Sequence, residues 1–407
     1  MTFIRPLPVC NTFRLGLGYG NSYDRKENRM GPARTQMYFL PADGSVTRAF
    51  RTGISLHSHT EHSQERLGDL PRYLERMPVV AQFLQWERKR YHTKTGRAMD
   101  FSRAYWRGPL CARSAHDVER LQIESLGLRA IVSLTDHDNV QAGLLLQQGR
   151  AYGEVPVSVE WTIPYEQAYF HLGIHNLDPT RAISWMQALS EYTQEPRPAE
   201  LGHLLEALDG DPGVLIVLNH PLWDMAGIGS TRMLALVKQF LRTYGHHIHA
   251  LEINGLRSWQ ENLGAISLAK ESDHPVVAGG DRHGLEPNAT INLTRAATFN
   301  EFAMEIRVER SSDIAVLPQY REPLAFRHLL CAWDAVREHP QFVEKQRWVA
   351  RVFVLCDDGI ERPLSAVWAK GAPAWIDPCL NVVGLLASPP VRTAARLASQ
   401  ATGSGTP

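Results

Sequence analysis

The sequence predicts an α/β protein. Its core would be a closed TIM-like (β/α)7 barrel with an N-terminal extension, a long insertion after the first strand and a C-terminal mixed α/β extension. Three observations lead there. From about residue 51, short apolar runs alternate with helical segments, the pattern of a parallel sheet. The runs are too apolar to be one-sided, so both faces of that sheet are expected to be covered. Seven histidines sit at or just past the ends of these runs: His57 and His59 in ISLHSHT, His137 in AIVSLTDHD, His171 and His175 in YFHLGIH, His220 in VLIVLNHP and His283 in PVVAGGDRHG. Asp136, Glu160 and Asp281 occupy equivalent places. Strand ends that converge carry the catalytic loops of α/β folds, and imidazole with carboxylate binds zinc, manganese or iron.

Composition bounds the reading. The 407 residues accommodate a barrel of roughly 250 residues plus extensions. A formal net charge of zero points away from a polyanion-binding surface. No aromatic–basic interleaving marks a nucleic-acid groove, so nucleic acid is not indicated, although nothing excludes it. The five cysteines, Cys10, Cys111, Cys331, Cys356 and Cys379, are odd in number, widely spaced and without a CxxC pair. That usage fits a reducing compartment. The first twenty residues lack the continuous apolar core of a signal peptide, and no apolar stretch is long enough to cross a bilayer. A cytoplasmic protein is expected.

Along the chain, residues 1–50 read as an extension in which Gln36–Leu40 and Val46–Phe50 flank an Asp-Gly turn, a hairpin pattern. Strands are expected at Ile54–Leu56, Ala130–Leu134, Val155–Val159, Phe170–Ile174, Val214–Leu218, Ile248–Ile253 and Val276–Ala278. In Thr231–Leu241 the apolar residues Met233, Leu236, Val237, Phe240 and Leu241 recur at helical spacing, with Ser230 or Thr231 as cap. Ser114–Leu126 is a second helix, capped by Ser114 and ended by Gly127. Between His59 and Ser114 lies an Arg-, Tyr- and Trp-rich insertion, about residues 66–113, longer than an ordinary βα connection; it is expected to be a lid or an ordered surface excursion. Residues 51–300 form the expected barrel and 301–407 an accessory region. There, Phe326–Glu338 and Pro340–Val352 read as helices, Arg351–Cys356 and Ala366–Trp368 as extended, and the chain from Pro389 as frayed.

Each motif carries its own chemistry. In a strand, positions i and i+2 share a face, so His57 and His59 can clamp one ion, and Asp281 and His283 mirror them. His137 is a ligand candidate, with Asp136 as its orienting partner or a further ligand and Asp138 as a helix cap. Glu160, a carboxylate just past a buried run, is costly unless paired or metal-bound. His171 and His175 share a strand face; one is expected as ligand and the other as packing. Pro221 ends a strand ladder and turns His220 into the mouth. Gly279 and Gly280 are expected to let backbone approach an ion or substrate. His246, His247 and His249 precede a strand and fall on the opposite, stability face.

Taken in order, HxHT, TDHD, the strand-end Glu, HxxG, NHP and GGDxHG resemble the PHP (polymerase and histidinol phosphatase) superfamily, over roughly residues 51–300. The resemblance implies a distorted (β/α)7 barrel, two to three divalent transition ions (manganese, iron or zinc) and phosphoesterase activity. Carried over by position, it implies that His57, His59, Glu160 and Asp281 hold a first ion. Glu160 would bridge to a second, held also by His171 and His220, while His137 and His283 hold a third. The family supplies one more ligand soon after HxH. Glu65 stands at the right distance, with His62, Asp69 and Asp100 as rivals, a departure from the family order.

The expected reaction is hydrolysis of a small phosphorylated substrate by a metal-activated water. Asp281, His283 or Asp136 would move protons, and Arg282, Arg257 or Arg103 would grip the phosphate. Two other classes fit parts of the pattern. An amidohydrolase-type C–N hydrolase also opens with HxH but usually closes with a single Asp. A non-catalytic, metal-stabilised scaffold has no reason to keep so full a ligand set.

Overall fold

A computed structural model describes residues 31–40, 46–68, 71, 75, 78–98, 100–149, 155–341, 347–368 and 376–402. The first twenty residues, Cys10 among them, and the Asp-Gly turn at 43–44 lie outside these residues. The strands are β1 Arg34–Phe39, β2 Thr52–Ser58, β3 Glu65–Arg66, β4 Ala104–Trp106, β5 Arg129–Val132, β6 Val157–Tyr165, β7 Ala168–Leu177, β8 Leu215–Asn219, β9 Ala250–Asn254, β10 Val276–Arg282, β11 Thr290–Thr294, β12 Ser311–Val316, β13 Val352–Leu355 and β14 Glu361–Pro363. Ten of them form one sheet in the order β1-β12-β11-β2-β10-β9-β8-β7-β6, with β5 on β2. A second sheet runs β14-β13-β4-β3.

The main sheet is mixed, where a parallel one was expected. β8, β9, β10, β2 and β5 run parallel, but β7 is antiparallel to both β6 and β8. The reason is loop length: a parallel crossover needs a dozen or more residues, and β6 turns into β7 through Glu166 and Gln167, with Glu166 at φ 53°. Nor do the ladders close into a continuous barrel. Among the described residues, β5 and β6 are linked by a single parallel bridge, His137 to Glu160, flanked by Glu160 N–H donating to Asp136 O at 3.2 Å and Asp138 N–H donating to Glu160 O at 3.0 Å.

The seven strands β5-β2-β10-β9-β8-β7-β6, with that bridge between their ends, make an interrupted ring, and outside this ring the extensions do more than cover an end. β1 does not form a hairpin; it pairs in parallel with β12, and Val46–Ala49 is a 3-10 turn. The insertion contributes β3, β4 and the helix Pro78–Thr95, and its two strands share a sheet with β13 and β14 from the C-terminal region. The helix Leu324–Val336 matches expectation. Pro340–Val352 is not one helix, since Trp348–Ala350 is a 3-10 turn leading into β13, and residues 342–346 are not described. Leu364–Val367 is helical rather than extended, and Pro389–Thr402 is a helix rather than frayed chain. No described helix is long and apolar enough to cross a membrane.

The helix boundaries differ in their caps. Ala112–Ser125 begins after Cys111, so Ser114 lies inside it, and Gly127 follows at φ 76°. Ser230–Tyr244 is preceded by Gly229 at φ 93° and has no side-chain cap; its five apolar positions are all buried as the spacing predicts. They pack on the sheet's outer face beside Trp161 and Phe170.

A second core fills the ring itself. Ile54, Leu56, Leu215, Val217, Ala250 and Val277 point inward and meet Phe299, Phe302 and Ile306 from the segment after β11. These aromatics form a floor, leaving the opposite end for polar residues. Strand direction then sorts the two histidines of β7. His171 pairs with Asn219 at the end of β8, whereas His175 pairs with Leu215 at its start. His175 therefore lies at the floor, 6.1 Å from the Phe299 ring, with Ser133 Oγ 2.7 Å from its Nδ1.

Two outcomes follow from the floor. Phe302→Ala removes its buried ring and should lower the unfolding free energy by about 3–5 kcal/mol, read by urea denaturation; a loss under about 1 kcal/mol would contradict this packing. Burial, and then the nearby His57, holds the His175 pKa down from 6.5 to about 3. The unfolded chain thus binds this proton more readily across that window, and stability falls as pH drops through it. In His175→Gln, with chelator present, the slope of unfolding free energy against pH should flatten by up to about 1.4 kcal/mol per unit between about pH 4 and 6. An unchanged slope would show that His175 is not held neutral.

Candidate metal centre

Nine side chains named from sequence meet at the end of the ring opposite the floor: His57, His59, Glu65, His137, Glu160, His171, His220, Asp281 and His283. They form four overlapping groups, each with its ligand atoms within 4.8 Å of one another: His59, Glu65, His137 and His283; His57, Glu160 and His220; His57, His59 and Asp281; His137, Glu160 and His171. The hub is Glu160, fully buried in β6. Its Oε2 lies 3.0 Å from His57 Nε2, 3.3 Å from His59 Nε2 and 3.4 Å from His137 Nδ1. Its Oε1 lies 3.1 Å from His171 Nδ1 and 3.2 Å from His220 Nε2.

Backbone turns, more than strand pleat, aim these groups. His57, His220 and Asp281 have positive φ, at 66°, 25° and 52°, a region that non-glycine residues rarely adopt and that marks sites over-determined by their surroundings. The HxH pair therefore departs from simple i, i+2 alternation.

A residue not singled out from sequence accounts for much of that determination. Glu252 lies within the apolar strand β9; its Oε1 is 2.6 Å from His57 Nδ1, and its Oε2 accepts the His220 backbone N–H at 2.7 Å. A carboxylate on the far nitrogen fixes the tautomer and ring angle of a ligating histidine. The available signal was the same as for Glu160, a carboxylate inside a buried run. Gly279 makes room for it, because a Cβ there would stand 1.6 Å from Glu252 Oε1, and one at Gly280 would meet Asn288 at 1.7 Å. Those glycines thus clear space for buried side chains, where backbone approach to an ion was expected.

Charge is distributed unevenly over the cluster. Burial opposes protonation of His57, but the Glu160 and Glu252 carboxylates outweigh it and raise its pKa. Against the same burial, Glu65 and Glu160 lift His137 to about 10. Burial and the neighbouring His283 push His59 down to about 3. Burial would raise Glu65, Glu160 and Asp281, yet the surrounding imidazoles hold all three carboxylates well below their usual range.

The donor set fits divalent ions. His57 Nε2, His59 Nε2, Glu160 Oε2 and His171 Nδ1 are buried without a hydrogen-bond partner among the described residues, although they face one another at close range. Buried polar atoms are otherwise almost always satisfied, and mixed imidazole–carboxylate sets suit zinc, manganese and iron.

Other expected site residues fall elsewhere. Asp136 belongs to none of the four groups. It accepts from Thr60 N–H at 2.5 Å and Thr60 Oγ1 at 2.7 Å, pinning the loop after HxH, and burial raises its pKa to about 7. Arg282 is buried in the fold: its Nε donates to Glu119 at 2.7 Å, and its other nitrogens donate to the carbonyls of Gly284 and His59. It is not available to a substrate. Arg103 pairs with Asp357 on a half-exposed surface. Arg257 alone of the three reaches the cluster, donating to Asp281 Oδ2 at 2.9 Å with its guanidinium carbon 3.8 Å from the Trp223 ring centre. Among the rivals to Glu65, Asp100 caps a 3-10 turn and Asp69 is not described. His247 and His249 bond to the buried Asp209, outside the four groups.

No family model and no curated protein matches the sequence. Solved structures that superpose on part of the chain include PsfC from Pseudomonas syringae (15% identity, TM-score 0.34, covering 51% of this chain and 85% of that one). Another is an amidohydrolase from Chromobacterium violaceum (17%, TM-score 0.30, 43% and 83%). A third is a protein from Bifidobacterium adolescentis described as a candidate metal-dependent phosphoesterase (16%, TM-score 0.31, 50% and 92%). Likeness at that level carries no argument about what this chain does.

Proposed function

We propose that this chain is a metal-dependent phosphoesterase of the PHP type, holding two to three divalent manganese, iron or zinc ions at the mouth of a distorted seven-stranded ring. The observation that carries the reading is the convergence of nine ligand-type side chains around one fully buried carboxylate, Glu160. We assign His57, His59 and Asp281 to one seat, Glu160 with His171 and His220, whose nitrogens lie 3.1 and 3.2 Å from its Oε1, to a second, and His59, Glu65, His137 and His283 to a third. Bound there, divalent ions supply Lewis acidity and a nucleophilic water at neutral pH. The residues supply placement. Asp281, kept ionised between imidazoles and Arg257, would serve as both a ligand and the proton acceptor for a metal-activated water. His283 has Nδ1 2.8 Å from the Asp281 carbonyl oxygen and Nε2 3.2 Å from Glu65, so it acts as a ligand rather than a proton donor. Arg257, braced on Trp223, would offer N–H groups to the phosphoryl oxygens.

A C–N hydrolase is the second reading, favoured by the HxH opening. The Asp281–His283 pair and a guanidinium at the mouth favour phosphate. The test is a panel of p-nitrophenyl phosphate, phosphodiesters and amides with the metal-loaded protein. Phosphate-ester turnover should appear, vanish with chelator, and fall by at least about 1,000-fold in Asp281→Ala at retained fold. Amide turnover with no phosphate-ester turnover would replace the proposal. Arg257→Ala should cost about 1.5–3 kcal/mol in kcat/KM, one charge-assisted hydrogen-bond partner. A variant with unaltered kcat/KM would remove Arg257 from the substrate site.

A further inference from the structure

Glu65 is held locally by Ser63, whose Oγ donates to its Oε1 at 2.6 Å, and through its strand by a part of the chain nearly three hundred residues away. It sits in β3, a strand of two residues, paired across to Trp106, while Arg66 pairs with Tyr105 of β4. Two strands this short do not hold a shape in water; three or more with packed faces do. The missing strands come from the C-terminal region. β13 lies on β4, with Val352 opposite Trp106 and Phe353 opposite Tyr105, and β14 lies on β13.

The pleat then divides the labour. On one face the Tyr105 and Phe353 rings stack at 5.3 Å and 9°, the Arg107 guanidinium carbon stands 4.6 Å from the Phe353 ring centre, and Tyr105 donates to Glu361 Oε2 at 2.7 Å. On the other face Glu65 and Trp106 turn to the cluster. Glu65 Oε1 lies 3.2 Å from His283 Nε2, its Oε2 lies 3.2 Å from His137 Nε2, and the Trp106 ring is 6.4 Å from that of His283.

We infer that the β13–β14 hairpin is a working part of the metal centre, and that Phe353 is a positioning residue: stacked on Tyr105, it holds Glu65 in the seat formed with His59, His137 and His283. This rests on the metal-centre reading above. It makes that seat selectively dependent on the C-terminal region, while the other two seats stand on the ring alone.

The test uses the full chain, stripped and reloaded with Zn(II), with bound zinc counted by elemental analysis and affinity measured by competition with a chromophoric chelator. Glu65→Ala sets the signature of losing this seat: one ion weakened by about 10–100-fold, the others unaffected. Phe353→Ala should reproduce it, with far-UV circular dichroism unchanged, and Phe353→Tyr should restore the wild-type count. Glu361→Gln, a milder change at the same hairpin, should weaken the same ion and serves if Phe353→Ala does not fold. A merely structural hairpin would lower the melting temperature and leave ion count and affinity alone; that result overturns the inference, as does equal weakening of every ion. Wild-type protein that takes up no zinc would defeat the metal-centre reading itself, and this inference with it.

Discussion

A carboxylate with no access to water must be surrounded by positive charge or by donors, and Glu160 is such a carboxylate. Five imidazoles and the Asn219 amide, which donates at 3.0 Å, close over it. The compensation is specific: His57 and His137 are pushed toward their charged forms, while His59 and His220 are held back from theirs. Neighbouring imidazoles cannot all carry a proton at such distances, so the positive charge around Glu160 is rationed among them. Divalent ions can supply the same charge without protons, which is why the hub of the ring and its proposed chemistry coincide.

The rest of the architecture serves that hub. The apolar floor under Phe299 and Phe302 fills one end of the ring and leaves the other for polar groups. Left-handed backbone at His57, His220 and Asp281 carries strain of about 1–3 kcal/mol per residue. Glu252 holds the first two of these turns, and Arg257 holds the third. Glu119, fully buried, fastens Arg282 and receives Ser55, Ser58 and the Asn288 backbone, so the HxH and DxH segments are tied together behind the cluster. Ligands on or just past seven strands are thereby placed by buried hydrogen bonds and ion pairs.

How far this was legible in the sequence varies with the residue. His57, His137, Glu160, His220 and Asp281 were visible because polar, metal-type residues at the ends of apolar runs have few other reasons to be there. Glu252 was missed although it obeys the same rule, since it sits one position inside its run. Arg282 was misjudged: proximity along the chain to Asp281 and His283 says nothing about which way a side chain leaves the strand. The N-terminal hairpin failed because a strand and an Asp-Gly turn do not reveal the partner, and β12, nearly three hundred residues on, offered a buried edge.

By itself, the sequence determined the α/β class, the apolar strands and the kinds of side chain that gather at their ends, because burial period and ligand chemistry are local properties. Tertiary structure alone decided strand direction, and with it which of His171 and His175 reaches the mouth. It decided that the sheet is mixed and its ladder interrupted between β5 and β6, and that Glu65 is carried by strands from both the insertion and the C-terminal region. The physical reason is that hydrogen-bonded ladders are specified by pairing across space, and a strand's own residues state that it must be buried without stating against what.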